Sequence, residues 1–354
     1  MFFQACYVKC PMLRKYVSLL VAASVAFGVT QVTLAGPSNA LTLTCTTNCT
    51  SAVNTAFSAL QTQVNNEIAS SLPDVGKTFV ENTAGANTFA ARGITADYAN
   101  VIDLFSVGIG LGVATNPFPP DSNPSNLSGA AISQSLALGL KLSAVGVDLP
   151  DIGPWKLSQS VGFINAFGGS FDLSPLNASF FTLGAHISAP VIEPASIGFG
   201  LFSWGGVNLI TGFDYNTVEI TTSQALAQTS GTSSFSGTGV FGAKANTFTI
   251  PIEVATNLRL FWIFTAFGGL GVDLNFGSAE SIARIDNGVV TDTVANASGT
   301  ATLDIGESSS PGFLGIRAFA GVQMSLGPIA FFGQMNQGIT DSITGFTGGA
   351  RLVW

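Results

Sequence analysis

From about Tyr98 to the C-terminus the sequence alternates between apolar and small or polar residues, and this period of two leaves few folds open. Leu314, Ile316, Ala318, Ala320, Val322, Met324 and Leu326 share one parity; Gly315, Arg317, Gly321, Gln323 and Ser325 share the other. Val101, Phe105, Val107, Ile109, Leu111 and Val113 oppose Ser106, Gly108, Gly110 and Gly112 in the same way, and Ile132, Leu136, Leu138, Leu140 and Leu142 oppose Ser133, Ser135, Gly139 and Lys141. Successive side chains of a strand point to opposite faces, so each segment has one apolar and one polar face. A soluble sandwich or lipocalin-like barrel turns the apolar face inward and covers its outside with charge. Here only 9% of residues are charged, against roughly 25% in soluble domains, and the mean hydropathy is +0.46. The apolar face therefore meets lipid. A spanning helix needs about 20 apolar residues, and the longest apolar run in the body, Leu260 to Val272, has 13. Strands cross a bilayer only as a closed ring, because an open edge leaves backbone groups unpaired in lipid.

The expected fold is thus all-β, a transmembrane antiparallel up-and-down β-barrel. Strands are read at about 98–113, 132–142, 158–172, 178–188, 195–211, 213–228, 243–255, 257–276, 314–326 and 328–338, with a last one ending at Trp354. Single-chain bacterial barrels use even strand numbers, which makes the expectation about 12, with 10 or 14 as alternatives. Thr115 to Gly129 and Gly277 to Pro311 read as long outer loops; Gly327-Pro328 and Ala255-Thr256-Asn257 read as tight inner turns.

Ahead of the strands the pattern differs. Lys9, Arg14 and Lys15 precede the apolar stretch Tyr16 to Val29, with small residues at Thr33 to Ala35 and Ser38 to Ala40, so residues 1–40 read as a secretory signal peptide. Met12 is an alternative start. Removing residues 1–40 leaves 9 Lys plus Arg against 20 Asp plus Glu, a formal charge of -11, which repels nucleic acid. It also leaves Cys45 and Cys49, expected to pair as a small disulfide loop in an oxidising compartment. Residues 41–96 read as a helical segment: Val53, Phe57, Leu60, Val64 and Ile68 form one stripe, Asn48, Thr50 and Ser51 are candidate caps, and Pro73 ends the helix. Such a stripe must be buried, either in the periplasm or as a plug in the barrel lumen; contact with the barrel, residues 97–354, is the expectation.

Few residues suggest chemistry. His186 is the only histidine, and His186-Ile187-Ser188 places His186 and Ser188 on one strand face. The His-x-Ser pair resembles that of outer-membrane phospholipase A and lipid A deacylase, and the resemblance implies a lipid hydrolase with Glu193 as the nearest orienting carboxylate. Ala189-Pro190 departs from those families, and the alternation turns His186 toward the lumen, so the chain is expected not to be an enzyme. Gly237 to Gly242 matches G-x-G-x-x-G without the strand–helix context a dinucleotide needs. No metal or cofactor is expected. Lys141, His186, Arg317 and Arg351 are the lumen-lining candidates; the cations form either a constriction selecting anions or salt bridges with acids such as Asp172 and Asp273.

The chain ends in TGGARLVW, with Thr347, Gly349, Leu352 and Trp354 at the positions of a polar residue, glycine, hydrophobic residue and terminal aromatic. This resembles the C-terminal signal of bacterial outer-membrane barrels, which implies an outer-membrane location, lipid contact and recognition by the barrel assembly machinery. The stretch NTFAARGITADYANVIDLFSVGIGLGVAT is similar to spirochaetal outer-membrane surface proteins and, more faintly, to the entry to the long-chain fatty-acid transporter barrel. The expected function is a surface-exposed structural or interaction protein with an extracellular ligand or host partner, or a narrow passive channel. Uptake of hydrophobic solutes and the His186/Ser188 hydrolase are the alternatives.

Overall fold

A computed structural model describes residues 41–71, 77–94, 96–100, 102–116, 129–197, 201–303 and 307–354. The signal-peptide expectation, Pro73, Val101 and most of the Thr115–Gly129 loop lie outside the described residues. In chain order the elements are β1 (Leu41–Thr47), helices α1 (Ser51–Ser71) and α2 (Lys77–Phe89), then β2 (Phe105–Asn116), β3 (Gly129–Lys141), β4 (Val161–Leu173), β5 (Leu176–Ile192), β6 (Ala195–Ile197), β7 (Phe202–Ser230), β8 (Ser233–Leu260), β9 (Phe264–Asp292), β10 (Ala297–Leu303), β11 (Ser308–Ser309), β12 (Leu314–Leu326), β13 (Ile329–Gly338) and β14 (Thr344–Val353).

Antiparallel pairing runs β2-β3-β4-β5-β7-β8-β9-β12-β13-β14 and returns to β2, where Gly348 lies opposite Leu111. Ten strands of the described chain close the ring, the lower of the expected alternatives to twelve. The two segments expected at 195–211 and 213–228 are one strand, β7, because it continues past the bilayer with no break in period. The expected turn at Ala255–Asn257 lies inside β8; its polar residue turns inward, where the Asn257 amide donates to the Tyr98 carbonyl at 2.8 Å. The chain reverses instead at Phe261 and Trp262, both at positive φ.

Alternation sorts the wall into two faces. Ile109, Leu136, Leu138, Ile164, Leu183, Val254, Leu270 and Val322 are exposed on the outside, while Ser106, Ser133, Asn165, Thr182, Asn216 and Gln323 are buried inside. Two aromatic girdles bound the apolar belt. At one end Phe105 stacks on Trp354 with ring centroids 4.6 Å apart, and across the ring Phe202 lies 5.9 Å from Phe261, next to the exposed Trp262. At the other, Phe213, Phe248, Phe276 and Phe313 form a chain of rings spaced 5.9, 6.3 and 5.5 Å, continued by Phe181 and Tyr215. On β9 the belt runs from Phe264 to Phe276, about 40 Å of strand at 3.3 Å per residue, or about 30 Å of height at the usual tilt. Aromatic belts of this kind sit at membrane–water interfaces. Tight turns and the C-terminus share the first end, which is the periplasmic one by the general rule for such rings.

β7, β8 and β9 do not stop at the outer girdle. They continue about 50 Å along the strand, and their outer faces change from Phe and Leu to residues such as Glu219, Lys244, Glu280 and Arg284. The stretch expected as the loop Gly277–Pro311 is largely strand: β9 runs to Asp292, and β10 pairs back on it. Its polar residues are the solvated face of a strand outside the membrane. β1 adds to β10, giving an outer sheet ordered β1-β10-β9-β8-β7.

α1 closes this sheet. Thr50 caps the helix, its hydroxyl accepting from the Val53 amide at 3.3 Å. Val53, Phe57, Leu60 and Val64 pack against Leu41, Leu226, Phe235, Phe241 and Val290. Each such side chain contributes roughly 1.5–3 kcal/mol on burial. Asn65 Oδ1 and Gln61 Oε1 accept from the Leu41 and Leu43 amides, both at 3.1 Å, so the helix also satisfies the edge of β1. That removes an open sheet edge, a common route to unwanted pairing. Cys45 and Cys49 are joined as a disulfide just before the helix.

The turn after β9 is organised by Asp292. It accepts from the Val294 and Ala295 amides at 3.0 and 2.8 Å and from the Thr232 and Ser233 hydroxyls, each at 2.7 Å. The Ala295 amide first, then the two hydroxyls, hold its carboxyl down at about 2. A depressed carboxyl stabilises above its unfolded value of about 3.9 and loses that contribution as pH falls through the folded one. Amide exchange at Val294 and Ala295 should stay slow down to about pH 4 and accelerate toward pH 2; Asp292→Asn should flatten that profile.

Candidate functional site

The interior of the ring is occupied by the chain itself. α2 and the described residues between it and Phe105, 90–94, 96–100 and 102–104, run down the lumen from the outer end to where the first ring strand begins. The alternation beginning at about Tyr98 was expected to mark that strand. Tyr98 instead belongs to the lumen segment, because its ring is buried against Phe267 and Phe319, at 5.4 and 4.6 Å. Val80, Ala84, Ala86, Phe89 and Ala90 pack on Ala114, Ala131, Phe180, Val218 and Ala245 of the wall and on Ile343 in the connection between β13 and β14.

The wall is shaped to this segment by glycine. A Cβ on Gly112 would stand 1.8 Å from the Ala90 carbonyl oxygen, one on Gly129 2.1 Å from the Thr83 nitrogen, and one on Gly110 2.7 Å from Ile94. No real Cβ sits at such distances, so at Gly112 and Gly129 main chain packs on main chain, and at Gly110 the Ile94 side chain packs on the wall backbone. Gly112→Val should therefore loosen the lumen segment while leaving the ring paired. Limited proteolysis should then cut near Ala90, a site protected in the native chain.

Polar groups fix the register of the segment. Arg92 pairs with Asp214 and lies 3.5 Å from Asp273. Arg317 pairs with Glu253, donates Nε to Asp273 at 2.8 Å and Nη1 to Asn336 at 2.9 Å. Tyr98 donates its hydroxyl to Glu253 at 2.7 Å, and Arg351 lies 3.4 Å from Asp97 and donates to the Ala96 carbonyl at 3.2 Å. Asn87 donates to Asn216 and Thr247, and Thr347 donates to the Arg92 carbonyl at 2.6 Å. β7, β8, β9, β12 and β14 thus each place a side chain on one strip of the lumen segment. The side chains of Arg92, Asp214, Asp273 and Arg317 are at most 1% exposed, so these charges meet each other and not water.

His186 is buried on β5 with Nε2 3.2 Å from Asp214, and Ser188 is buried on the same face. Glu193, the carboxylate expected to orient it, is exposed past the end of β5; the neighbouring strand supplies Asp214 instead. Arg317 and Arg351 lie inside the network, whereas Lys141 is half-buried at the periplasmic end and joins no ion pair among the described residues. Asp172, expected as a lumen acid, is exposed on β4; it pairs across with Asn177, whose parity is opposite to that of the inward Ala178. Of the C-terminal octet, Thr347 holds the lumen segment, Gly349 would place a Cβ 2.3 Å from the Ile109 carbonyl, and Leu352 and Trp354 face outward. Among the described residues no group of three or more His, Cys, Asp or Glu is placed to hold a metal ion.

Asp214 and Glu253 were missed, although each is a lone acid on the polar parity of an apolar strand. Arg92, Asp97 and Tyr98 were missed because they precede any ring strand, and no period marks a segment whose partners surround it on every side.

A closed antiparallel ring with an apolar outer belt, two aromatic girdles and a packed interior is an outer-membrane β-barrel, and the cell outer membrane is where it resides. Residues 29–354 match the family described as Lsa36-like, and the chain belongs to that family. No curated protein matches the sequence. Among solved structures it is similar to the transport unit of the autotransporter AIDA-I from Escherichia coli (TM-score 0.34, 10% identity, 80% of this chain and 99% of that one). It is also similar to the translocator domain of the autotransporter NalP from Neisseria meningitidis (TM-score 0.31, 9% identity, 71% and 88%). A third is the attachment invasion locus protein Ail of Yersinia pestis (TM-score 0.23, 11% identity, 70% and 99%).

Proposed function

We propose that the protein is a surface-exposed structural and interaction protein, a sealed barrel that holds an N-terminal module outside the membrane for contact with an extracellular partner. The observation that carries this reading is the filled lumen. An 8-stranded ring fills its interior with side chains and one of 16 to 18 strands leaves a water channel; ten strands leave room for one segment of main chain, and α2 with the described residues that follow it takes it. The outer mouth is then covered by α1 and the sheet from β1 to β7. Against a passive channel or a route for hydrophobic solutes stands the ion-pair network on five strands, which leaves the segment no slack to move aside. Against a lipid hydrolase stands the burial of His186 and Ser188 in the lumen, with Asp214 shared between His186 and Arg92. The octet bearing Thr347, Gly349, Leu352 and Trp354 serves, on this reading, as the address for the assembly machinery.

The test is planar-bilayer recording of the folded, full-length protein. The expected record is flat, with no steady unitary conductance; a stable ohmic pore in the native chain contradicts the proposal.

A further inference from the structure

β1 and α1 lie beyond the outer girdle, and β2 starts at the inner one. Between them the chain crosses the membrane once, inside a ring that it has not yet begun to build. We propose that the ring exports its own N-terminal module, with residues 41–71 passing outward through the lumen until Arg92 meets Asp214 and Asp273. This inference rests on the surface placement of the module proposed above.

Three features carry it. The lumen is matched to one backbone, since Gly110, Gly112 and Gly129 leave no space for a Cβ beside the segment. The module is suited to passage: residues 41–71 contain a single charged residue, Glu67, among Ser, Thr, Asn, Gln and small apolar residues. Such a chain offers almost nothing for the lumen charges Asp214, Glu253, Asp273 and Arg317 to hold. The segment that stays behind differs in that respect, because Arg92 and Asp97 are its first groups to find buried opposite charges, on β7, β9 and β14. The chain ahead of Arg92 carries only Glu67, Asp74, Lys77 and Glu81 over residues 41–91, and no buried opposite charge pairs with any of them among the described residues; such a leader followed by the Arg92 and Asp97 stop gives motion one direction and a fixed end point. The disulfide spans only four positions, so its loop adds little width to the passing chain.

The experiment inserts a small domain between residues 40 and 41 of the full chain, in a form closed by a disulfide and in a Cys→Ser form that stays unfolded. Ring formation is read by heat-dependent gel mobility, and display by protease digestion of intact cells. With rings formed equally in both, the Cys→Ser domain should reach the surface and the disulfide-closed one should be displayed at least tenfold less. Display of both forms, or of neither, overturns the export route. An impermeant thiol reagent on cells carrying Thr55→Cys without the insertion separates the two proposals: no labelling there removes the surface module itself, whereas labelling with equal display of both inserts removes only the passage through the lumen.

Discussion

Replacing residues 77–104 by a Gly/Ser linker of equal length should turn a silent ring into a conducting one. The native lumen is closed by a segment that buries Val80, Ala84, Ala86, Phe89 and Ala90 and carries Arg92, Asp97 and Tyr98 into the wall. With it gone, the inner face of β2 and β3 is Ser106, Gly108, Gly110, Gly112, Ser133, Ser135 and Ala137, residues too small to fill the space they leave. Asp214, Glu253 and Asp273 would then line a wet opening with Arg317 as their main counter-charge, so the pore should prefer cations. Ring strands pair over long registers that do not involve the segment, such as Phe202↔Leu260 through Ser230↔Ser233, so the variant should still show heat-dependent mobility. Recordings that remain flat while the ring is folded would mean that wall side chains, not the segment, seal the lumen.

Arg317→Ala should be the most damaging single substitution in the ring. Its guanidinium is fully buried and serves Glu253, Asp273 and Asn336 at once. Removing it leaves two buried carboxylates in the lumen, Asp273 with Arg92 at 3.5 Å and Glu253 with the Tyr98 hydroxyl at 2.7 Å. Breaking one side of a buried ion pair costs about 3–5 kcal/mol, because the remaining charge stays desolvated. The temperature of the gel-mobility transition should drop sharply. Arg317→Ala combined with Glu253→Gln should recover part of the loss, since it removes one of the stranded charges; equal loss in the single and double variants would contradict the pairing. Arg351→Ala should cost less, because Arg351 is 7% exposed and pairs with one carboxylate, Asp97, which keeps the Ile102 amide at 3.1 Å, whereas Arg317 serves two.

The ring was legible because lipid imposes a rule residue by residue. Leu314, Ile316, Val322 and Leu326 face out and Arg317 and Gln323 face in, as their parity requires. The stripe Val53, Phe57, Leu60 and Val64 was legible for the same reason, one face being apolar and the other not. What the stripe packs against was not, since Leu226, Phe235, Phe241 and Val290 look like ordinary strand residues and nothing local says that their strands have left the membrane. The same blindness split β7 in two and turned the end of β9 into a loop: solvent outside the bilayer makes a strand's outer face polar without ending the strand. Of the lumen network, Arg317 and Arg351 carried a signal because each is a charge on the polar parity of a strand whose other parity is apolar. Arg92 carried none, being one charge in a short helical and turn segment whose partners are 122 and more positions away.

Thiol labelling of intact cells reads out the proposed placement of the N-terminal module outside the membrane and of the inner turns inside. Thr55 is exposed on α1, and Asp148 is exposed in the connection between β3 and β4 at the Trp354 end. With a membrane-impermeant maleimide, Thr55→Cys should label in intact cells, and Asp148→Cys only after the outer membrane is permeabilised. Labelling of Asp148→Cys in intact cells, with Thr55→Cys silent until permeabilisation, would contradict the account.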